Sequence, residues 1–398
     1  MLHRTEGLYK EVTYMFCSDI QYLWCPVCQA DLSITVITGT EEIIDLGYLE
    51  CESCEERYPI INRIVNLLPP DIRNALLTYE EKELAEEMLA TGIQSHPVSK
   101  DRNKVLQSSF NWSKQFGEYF PVTREQLDSS KGFWSKQAFY SYAGIDEEQL
   151  EDKSVAVFCG GTGREAYHLG NAKTKKVIVL DIGSYISFLP QLLSGMAEKF
   201  LFIRCDVFYS PIKSESVDIA VCDHALQHIS NHDQAYKNIS NVVTGKGITS
   251  ICVYSFENNF LMTKIGEPLK RVLVFVPLRT LFYLSLVPAS LLYIFTLVVA
   301  SLSKVISSKY IERIPLSRIL LLWYENGFNK FREACFDLLQ APISHHFKKE
   351  ELRHLAETNG QTILKLENTF STMWTLVTTP SGTGFRSGAT GAESANLG

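Results

Sequence analysis

The stretch Val155–Gly170, VAVFCGGTGREAYHLG, decides how this chain is read. An apolar strand runs into a glycine turn and then into a helix start, which is how a nucleotide-binding loop begins. Gly161 and Gly163 are followed by Arg164, Glu165 and Ala166, so a dinucleotide-type loop ending in alanine is one reading. The residues downstream carry more weight. Asp181 closes the next strand, KVIVLD, where an acidic residue can accept hydrogen bonds from both hydroxyls of a ribose. Asp206 closes the third strand in IRCDVF, and Asp223 with His224 closes the fourth in VCDHALQHI. All stand at carboxyl ends of strands, where open parallel sheets bind ligands. A single aspartate there can simply terminate a strand. An ordered series of them is harder to explain that way.

Outward from the loop, SVAVF, KVIVLD, FLFIRCD, VDIAVCD and GITSICVYS are apolar runs separated by helical stretches. That alternation predicts an α/β fold with a mostly parallel sheet covered on both faces. QTILKLEN and STMWTLVTT come last as two further strands. Six segments follow: a cysteine-bearing unit over 1–70, helices over 71–150, the sheet core over 151–255, an apolar helical insertion over 256–315, the rest of the sheet domain over 316–379, and a mobile Gly/Ser-rich tail from Pro380 to 398. In the second segment Thr78 and Glu81 form a capping-box pattern ahead of a helix stopping at Gly92. No internal repeat is visible.

The first segment contains LWCPVCQADL and YLECESCEERYPI. Cys25, Cys28, Cys51 and Cys54 are thus two C-x2-C pairs 22 residues apart. Two such knuckles offer four thiolates to one point, the tetrahedral set that structural zinc favours. The alternatives are two disulfides or a redox dithiol, and the latter would need a helix start that Pro26 and Asp31 argue against. The other six of the ten cysteines are scattered, several in apolar runs, which suits a reducing compartment. No cleavable signal sequence is apparent, and the protein reads as cytoplasmic.

Leu23–Pro70, with its YPI and NLLP ending, resembles the zinc-ribbon activator subunit of tRNA and release-factor methyltransferases. Residues 151–255 and 345–378 resemble class I S-adenosylmethionine-dependent methyltransferases. The resemblance implies a Rossmann-like methyltransferase sheet with an antiparallel edge, S-adenosylmethionine as cofactor, and an N-terminal zinc ribbon. By it, Cys159, Gly160, Gly161 and Gly163 wrap the methionine part of the cofactor and Asp181 holds the ribose. Asp206 with Val207 faces the adenine, and Asp223, a further cofactor-binding candidate, stands beside the active-site stretch HALQHISN. TGKG takes the place of the turn before strand five. Val157 stands where the family carries an acid and Cys159 where it carries glycine. A side chain at 159 opposes the positive φ that glycine adopts there.

An activated methyl needs an aligned nucleophile, and an oxygen nucleophile gains from a base near neutral pKa. His228 is the first candidate and His224 the second, on one face if the stretch is helical. His345 and His346 are further candidates for the same cleft. Phe110, Trp112 and Trp134 are expected either in a lid or in the core. The reaction expected is methylation, most readily at oxygen, of a small-molecule, glycan or lipid-linked acceptor. A nicotinamide-dependent oxidoreductase and a non-catalytic scaffold are the rival readings. A formal net charge of −7 speaks against nucleic acid as partner.

TLFYLSLVPASLLYIFTLVVASLS, residues 280–303, is uncharged and long enough for a bilayer. A single crossing would separate the glycine loop from the last two strands. The expectation is two apolar helices hinged near Pro288, serving as a lid. They also suit a monotopic membrane contact through 272–303, with Lys270, Arg271, Arg279 and Lys304 near headgroups.

Overall fold

A computed structural model of the chain describes residues 15–40, 42–89, 102–260, 262–273 and 275–382. Five strands come first: β1 (Met15–Phe16), β2 (Leu32–Gly39), β3 (Ile43–Cys51), β4 (Arg57–Ile61) and β5 (Ile64–Asn66). Helices α1 (Pro70–Leu76), α2 (Tyr79–Leu89), α3 (Asn103–Lys114), α4 (Arg124–Leu127) and α5 (Lys136–Ala143) follow. Thr78 and Glu81 form the expected reciprocal cap, with N–H to side-chain distances of 2.7 and 3.2 Å. The expected stop at Gly92 lies outside the described residues.

Strand and helix then alternate through β6 (Ser154–Phe158), α6 (Arg164–Asn171), β7 (Lys176–Asp181), α7 (Leu189–Leu192), β8 (Phe200–Arg204), β9 (Val217–Asp223), α8 (His232–Ser240) and β10 (Val243–Tyr254). Helices α9 (Glu267–Leu273), α10 (Leu278–Leu284), α11 (Leu286–Leu302), α12 (Ser308–Ile311), α13 (Ser317–Tyr324), α14 (Phe328–Gln340) and α15 (Lys349–Thr358) lead to β11 (Gln361–Thr369) and β12 (Met373–Pro380). Pro380 therefore closes a paired strand, opposite Gln361, rather than opening the tail. Residues 383–398 of the expected tail lie outside the described residues.

All these strands belong to one twelve-stranded sheet, ordered β1-β3-β4-β5-β8-β7-β6-β9-β10-β12-β11, with β2 paired to β3. From β5 to β10 neighbours are parallel. The β10–β12–β11 edge is antiparallel, as the sequence predicts. Every residue of β6, β7 and β8 is buried, which explains why only their end positions (Ser154, Lys176, Asp181 and Arg204) are polar. One face packs on α5, α6 and α7 through Phe139, Leu169 and Leu189. The other packs on α8 and α15 through Tyr236, Ile239, Leu352 and Leu355. Strand order reverses between β6 and β9, and that switch point opens the crevice where ligands enter such sheets. TGKG does not form a turn before β10. It lies inside that strand, where the register against β9 slips between Val243 and Ile248.

The sheet also runs across the expected boundary at residue 70, because β5 pairs in parallel with β8 from Ile64↔Phe202 to Asn66↔Arg204. The cysteine-bearing unit shares the core of the α8 face through Leu23, Leu49, Tyr58 and Leu67. A buried Lys176–Asp19 ion pair at 2.6 Å and a Trp24 indole N–H to Ser210 carbonyl bond at 2.9 Å fasten it further.

α10 and α11 are separated only by Ser285, which keeps helical backbone (φ −58°, ψ −22°) and donates its N–H to Leu281, so the run continues as helix through it. The interruption falls just before Pro288, whose ring nitrogen has no N–H to give the Leu284 carbonyl. Lys270, expected near headgroups, is buried beside Glu267 at 4.0 Å, and burial lowers its ammonium pKa.

Candidate active site

The loop joining β6 to α6 takes the glycine-type path even where the residue is not glycine. Cys159 has φ 53°, Gly161 φ 43° and Gly163 φ 78°. A cysteine therefore does adopt the left-handed region here, against expectation, at a cost of about 1–2 kcal/mol. Gly160 and Gly163 are tightly enclosed. A Cβ on the first would stand 2.5 Å from Val179, and one on the second 2.8 Å from Leu189. Val157 is buried in the core beneath the loop, so the family's acidic position is filled by packing. Cys159 lines the crevice and its thiol is pushed well up by hydrogen bonding to Cys222 and by burial.

Asp181 ties the loop down from the end of β7. Its two carboxylate oxygens accept the amide N–H groups of Gly161 (3.0 Å) and Gly183 (2.8 Å). Burial raises its pKa, and these bonds oppose the rise. Asp206 is buried after β8. It accepts the Phe208 N–H at 3.0 Å and pairs with Arg102 at 2.6 Å, which also pairs with Asp71. Asp223 is engaged by Arg164 and by Nδ1 of His224, so both of its oxygens have partners within the protein.

The crevice above these groups is a cavity of about 330 Å³, the site of all the predicted cofactor and histidine residues that line it. Cys159, Gly161, Asp181, Asp206, Val207, Asp223, His224 and His228 lie in its wall, whereas Gly160 and Gly163 shape the loop behind it. The two histidines are not on one helical face. His224 has φ 55° and His228 ends a 3-10 turn, Leu226–His228. His224 packs edge-on against Tyr142 at 4.5 Å. His228 sits between Trp112 (5.0 Å) and Tyr254 (5.4 Å). Its Nδ1 is 2.9 Å from the Ile343 carbonyl, which fixes Nδ1 as the protonated nitrogen and leaves Nε2 a bare lone pair without a partner among the described residues. Burial lowers the His228 pKa to about 3, so the ring is neutral at physiological pH.

Of the HHF pair, His346 reaches the cavity, with Nδ1 3.9 Å from Glu267. His345 instead packs against His232 and Phe347. Trp112 lines the cavity, Trp134 belongs to the core and Phe110 is exposed.

Several residues in the wall were not foreseen. α14 presents Lys330, Glu333 and Asp337 to the cavity, at i, i+3 and i+7. Lys330 pairs with Glu333 at 3.0 Å and lies over the Phe133 ring. Asp337 accepts the Tyr254 hydroxyl and the Gln115 amide, each at 3.1 Å, and burial raises its carboxyl pKa. The signal was a polar stripe in NKFREACFDLL on a helix that otherwise buries Phe331, Cys335 and Phe336. Arg164, buried between Glu165 and Asp223, was read only as a loop residue. One side of the wall is apolar: Leu292 comes from the insertion, and Leu316, Ile319, Leu320 and Trp323 from α13 and the residue before it.

The four predicted metal ligands also meet. Their Sγ atoms lie within 4.8 Å of one another, with Cys25–Cys54 at 3.6 Å and Cys28–Cys51 at 3.4 Å. These separations are too long for disulfides and near the edge of a tetrahedron built on Zn–S bonds of about 2.3 Å. The Ser53 and Cys54 amides point at Cys51 Sγ, and the Tyr58 hydroxyl reaches Cys25 Sγ at 3.2 Å. Such a set fits one zinc ion with outer-sphere support.

Residues 157–251 match the family described as a methyltransferase domain. No curated protein matches the chain. Among solved structures, the chain is similar to a Burkholderia thailandensis 1,6-didemethyltoxoflavin N1-methyltransferase with bound S-adenosylhomocysteine, at 11% identity and TM-score 0.39 over 72% of this chain and 93% of that one. It is similar to a chain of the complex between the Haloferax volcanii Trm112 methyltransferase activator and a methyltransferase, at 10% identity and TM-score 0.37 over 68% of this chain and 97% of that one. It is also similar to a family 2 O-methyltransferase of Planctomyces limnophilus in complex with apigenin, at 10% identity and TM-score 0.35 over 72% and 63%.

Proposed function

We propose that this class I S-adenosylmethionine-dependent methyltransferase acts on a hydroxyl group of a lipophilic acceptor, with His228 receiving the hydroxyl hydrogen. The observation that carries the reading is the bare Nε2 of a buried, neutral histidine in the wall of a largely apolar cavity. A buried lone pair without a donor is costly, and a substrate O–H satisfies it.

S-adenosylmethionine supplies a methyl group already activated by a positive sulfur. The chain's residues would hold and screen it. Asp181 would accept a ribose hydroxyl while keeping the loop amides, and the loop from Cys159 to Gly163 would take the amino-acid end. Val207 and the Asp206–Arg102 pair would bound the base. His228 Nε2 would orient the acceptor oxygen. On gaining the methyl group that leaves the sulfur, the acceptor oxygen would become strongly acidic and its proton would pass to Nε2, for which even the depressed basicity of the buried ring would be sufficient. Trp112, Tyr254 and the apolar side chains of α11 and α13 would exclude water. The Cys25, Cys28, Cys51 and Cys54 cluster would hold a structural zinc. The same reading makes the protein peripheral to a membrane, since its acceptor is lipid-soluble.

Calorimetric titration with S-adenosylmethionine and, separately, NAD tests the reading. Binding of the first and of S-adenosylhomocysteine is expected, and binding of NAD alone would reject it.

A further inference from the structure

The insertion is the largest feature that methyl transfer itself leaves unexplained. α10, Ser285 and α11 together make a run of 25 residues, Leu278–Leu302, little of it buried. At 1.5 Å per residue they are about 37 Å long. Their outward face is as apolar as their inward one. On α11 the face toward the protein carries Ala289, Leu292, Tyr293, Thr296 and Val299, whereas Val287, Leu291, Ile294, Phe295 and Val298 are exposed. A helix that is apolar all round yet exposed on one side is suited to lipid as its solvent. Phe275, just ahead of α10, is 88% exposed.

The polar groups follow the same rule. Hydrocarbon offers no partner, so hydroxyls there must bond within their own helix. Ser285 donates to the Phe282 carbonyl at 2.8 Å, Thr296 to Leu292 at 2.6 Å, Ser301 to Leu297 at 2.8 Å and Ser303 to Ala300 at 2.9 Å.

Charge is concentrated here too. Residues 256–315 carry seven Lys or Arg and three Glu, a net +4 within a chain of net −7. Arg271, Arg279, Lys304, Lys309 and Arg313 are exposed and flank the apolar run. A basic rim around an apolar face complements anionic headgroups, with about 1 kcal/mol per basic residue close to the surface. The same rim disfavours a second copy, because a twofold contact would set like charges against each other.

The sheet fixes the orientation. β10 precedes the insertion and β12 follows it, yet they pair side by side from Thr249↔Thr378 to Tyr254↔Met373. The chain before and after 255–372 therefore lies on one side of any bilayer, so a single crossing by α10 and α11 is ruled out.

We infer that α9–α12 dock on an anionic lipid bilayer, with α10 and α11 lying in the plane of one leaflet. Leu292 of α11 and Leu316, Ile319, Leu320 and Trp323 beside it wall the cavity, which places its apolar end under the docked face. A lipid acceptor, one with a hydroxylated head and an apolar chain, enters from the leaflet. This last step rests on the methyl-transfer reading; the docking does not.

Flotation of the full chain tests it, using phosphatidylcholine vesicles with and without phosphatidylglycerol, and calorimetry with S-adenosylmethionine on the same samples. The protein is expected to float with the anionic vesicles and markedly less with the neutral ones. Leu291→Glu combined with Ile294→Glu changes only exposed side chains. It should lower vesicle partitioning about tenfold or more while leaving the thermal melt and cofactor affinity unchanged. Protein that binds the cofactor but stays at the bottom of the gradient overturns the docking. So does a double variant that floats like the wild type, and so does a concentration-dependent dimer without flotation. Flotation without cofactor binding upholds the docking and rejects the methyl-transfer reading alone.

Discussion

Replacing Asp181 by alanine is the most direct probe of the cofactor end of the cavity. Its carboxylate offers roughly four lone-pair positions. Gly161 and Gly183 occupy two, at 3.0 and 2.8 Å. At least one position is then left for a ribose hydroxyl. A hydrogen bond to a charged group is worth about 1.5–3 kcal/mol, so the variant should bind S-adenosylmethionine about 10- to 150-fold more weakly. It also strips a partner from the Gly161 and Gly183 amides, so the melting temperature must be measured beside the affinity. Asp181→Asn, of equal size, keeps one acceptor oxygen and should fall between the two. Isothermal titration calorimetry reads the outcome. An Asp181→Ala protein that folds normally and binds within about twofold of the wild type would refute the reasoning, leaving Asp181 as a loop brace only.

Elemental analysis of untagged protein should return close to one zinc per chain, and Cys51→Ser should lower both zinc content and melting temperature; a metal-free, fully folded protein would reject the site. His228→Ala should reduce turnover about 10²-fold with the true acceptor while cofactor affinity holds; intact turnover would move the proton elsewhere. His228 and His168 have folded pKa values lowered by burial to about 3 and about 4. Each therefore adds stability that is full above its unfolded value of about 6.5 and is lost as pH falls toward the folded value, with a slope of up to about 1.4 kcal/mol per pH unit per histidine. Denaturant titrations should show His228→Gln losing stability less steeply below pH 6 than the wild type, and equal slopes would contradict the burial of a neutral ring.

The sheet core was readable because β6–β9 are buried on both faces and so cannot hide among polar residues. The knuckle cysteines were readable because two short spacings meet only around a metal or in bridges. The join between β5 and β8 was not readable. Ile64–Asn66 is too short for periodicity, and its partner lies far down the chain. The histidine geometry also escaped, since it depends on a left-handed residue at 224 that no local pattern demands. Lys330, Glu333 and Asp337 form a stripe with the right period, but only the tertiary position of α14 says that the stripe faces the cavity and not water.

The parallel pairing of β5 with β8 has a consequence for how the chain is made. Residue 66 precedes residue 204 by 138 positions. At about 5–20 residues per second of synthesis, β5 leaves the ribosome about 7 to 30 s before β8 is complete. Until then one margin of the early hairpins is an unpaired row of amides and carbonyls, the kind of margin that recruits stray strands. A zinc ion gripping the knuckles at this stage would keep those few strands in register with almost no core of their own. The metal's main service would then fall in the interval before the catalytic sheet exists, and cells starved of zinc during translation would accumulate aggregates of nascent chains while the finished enzyme, already sealed along β8, persisted.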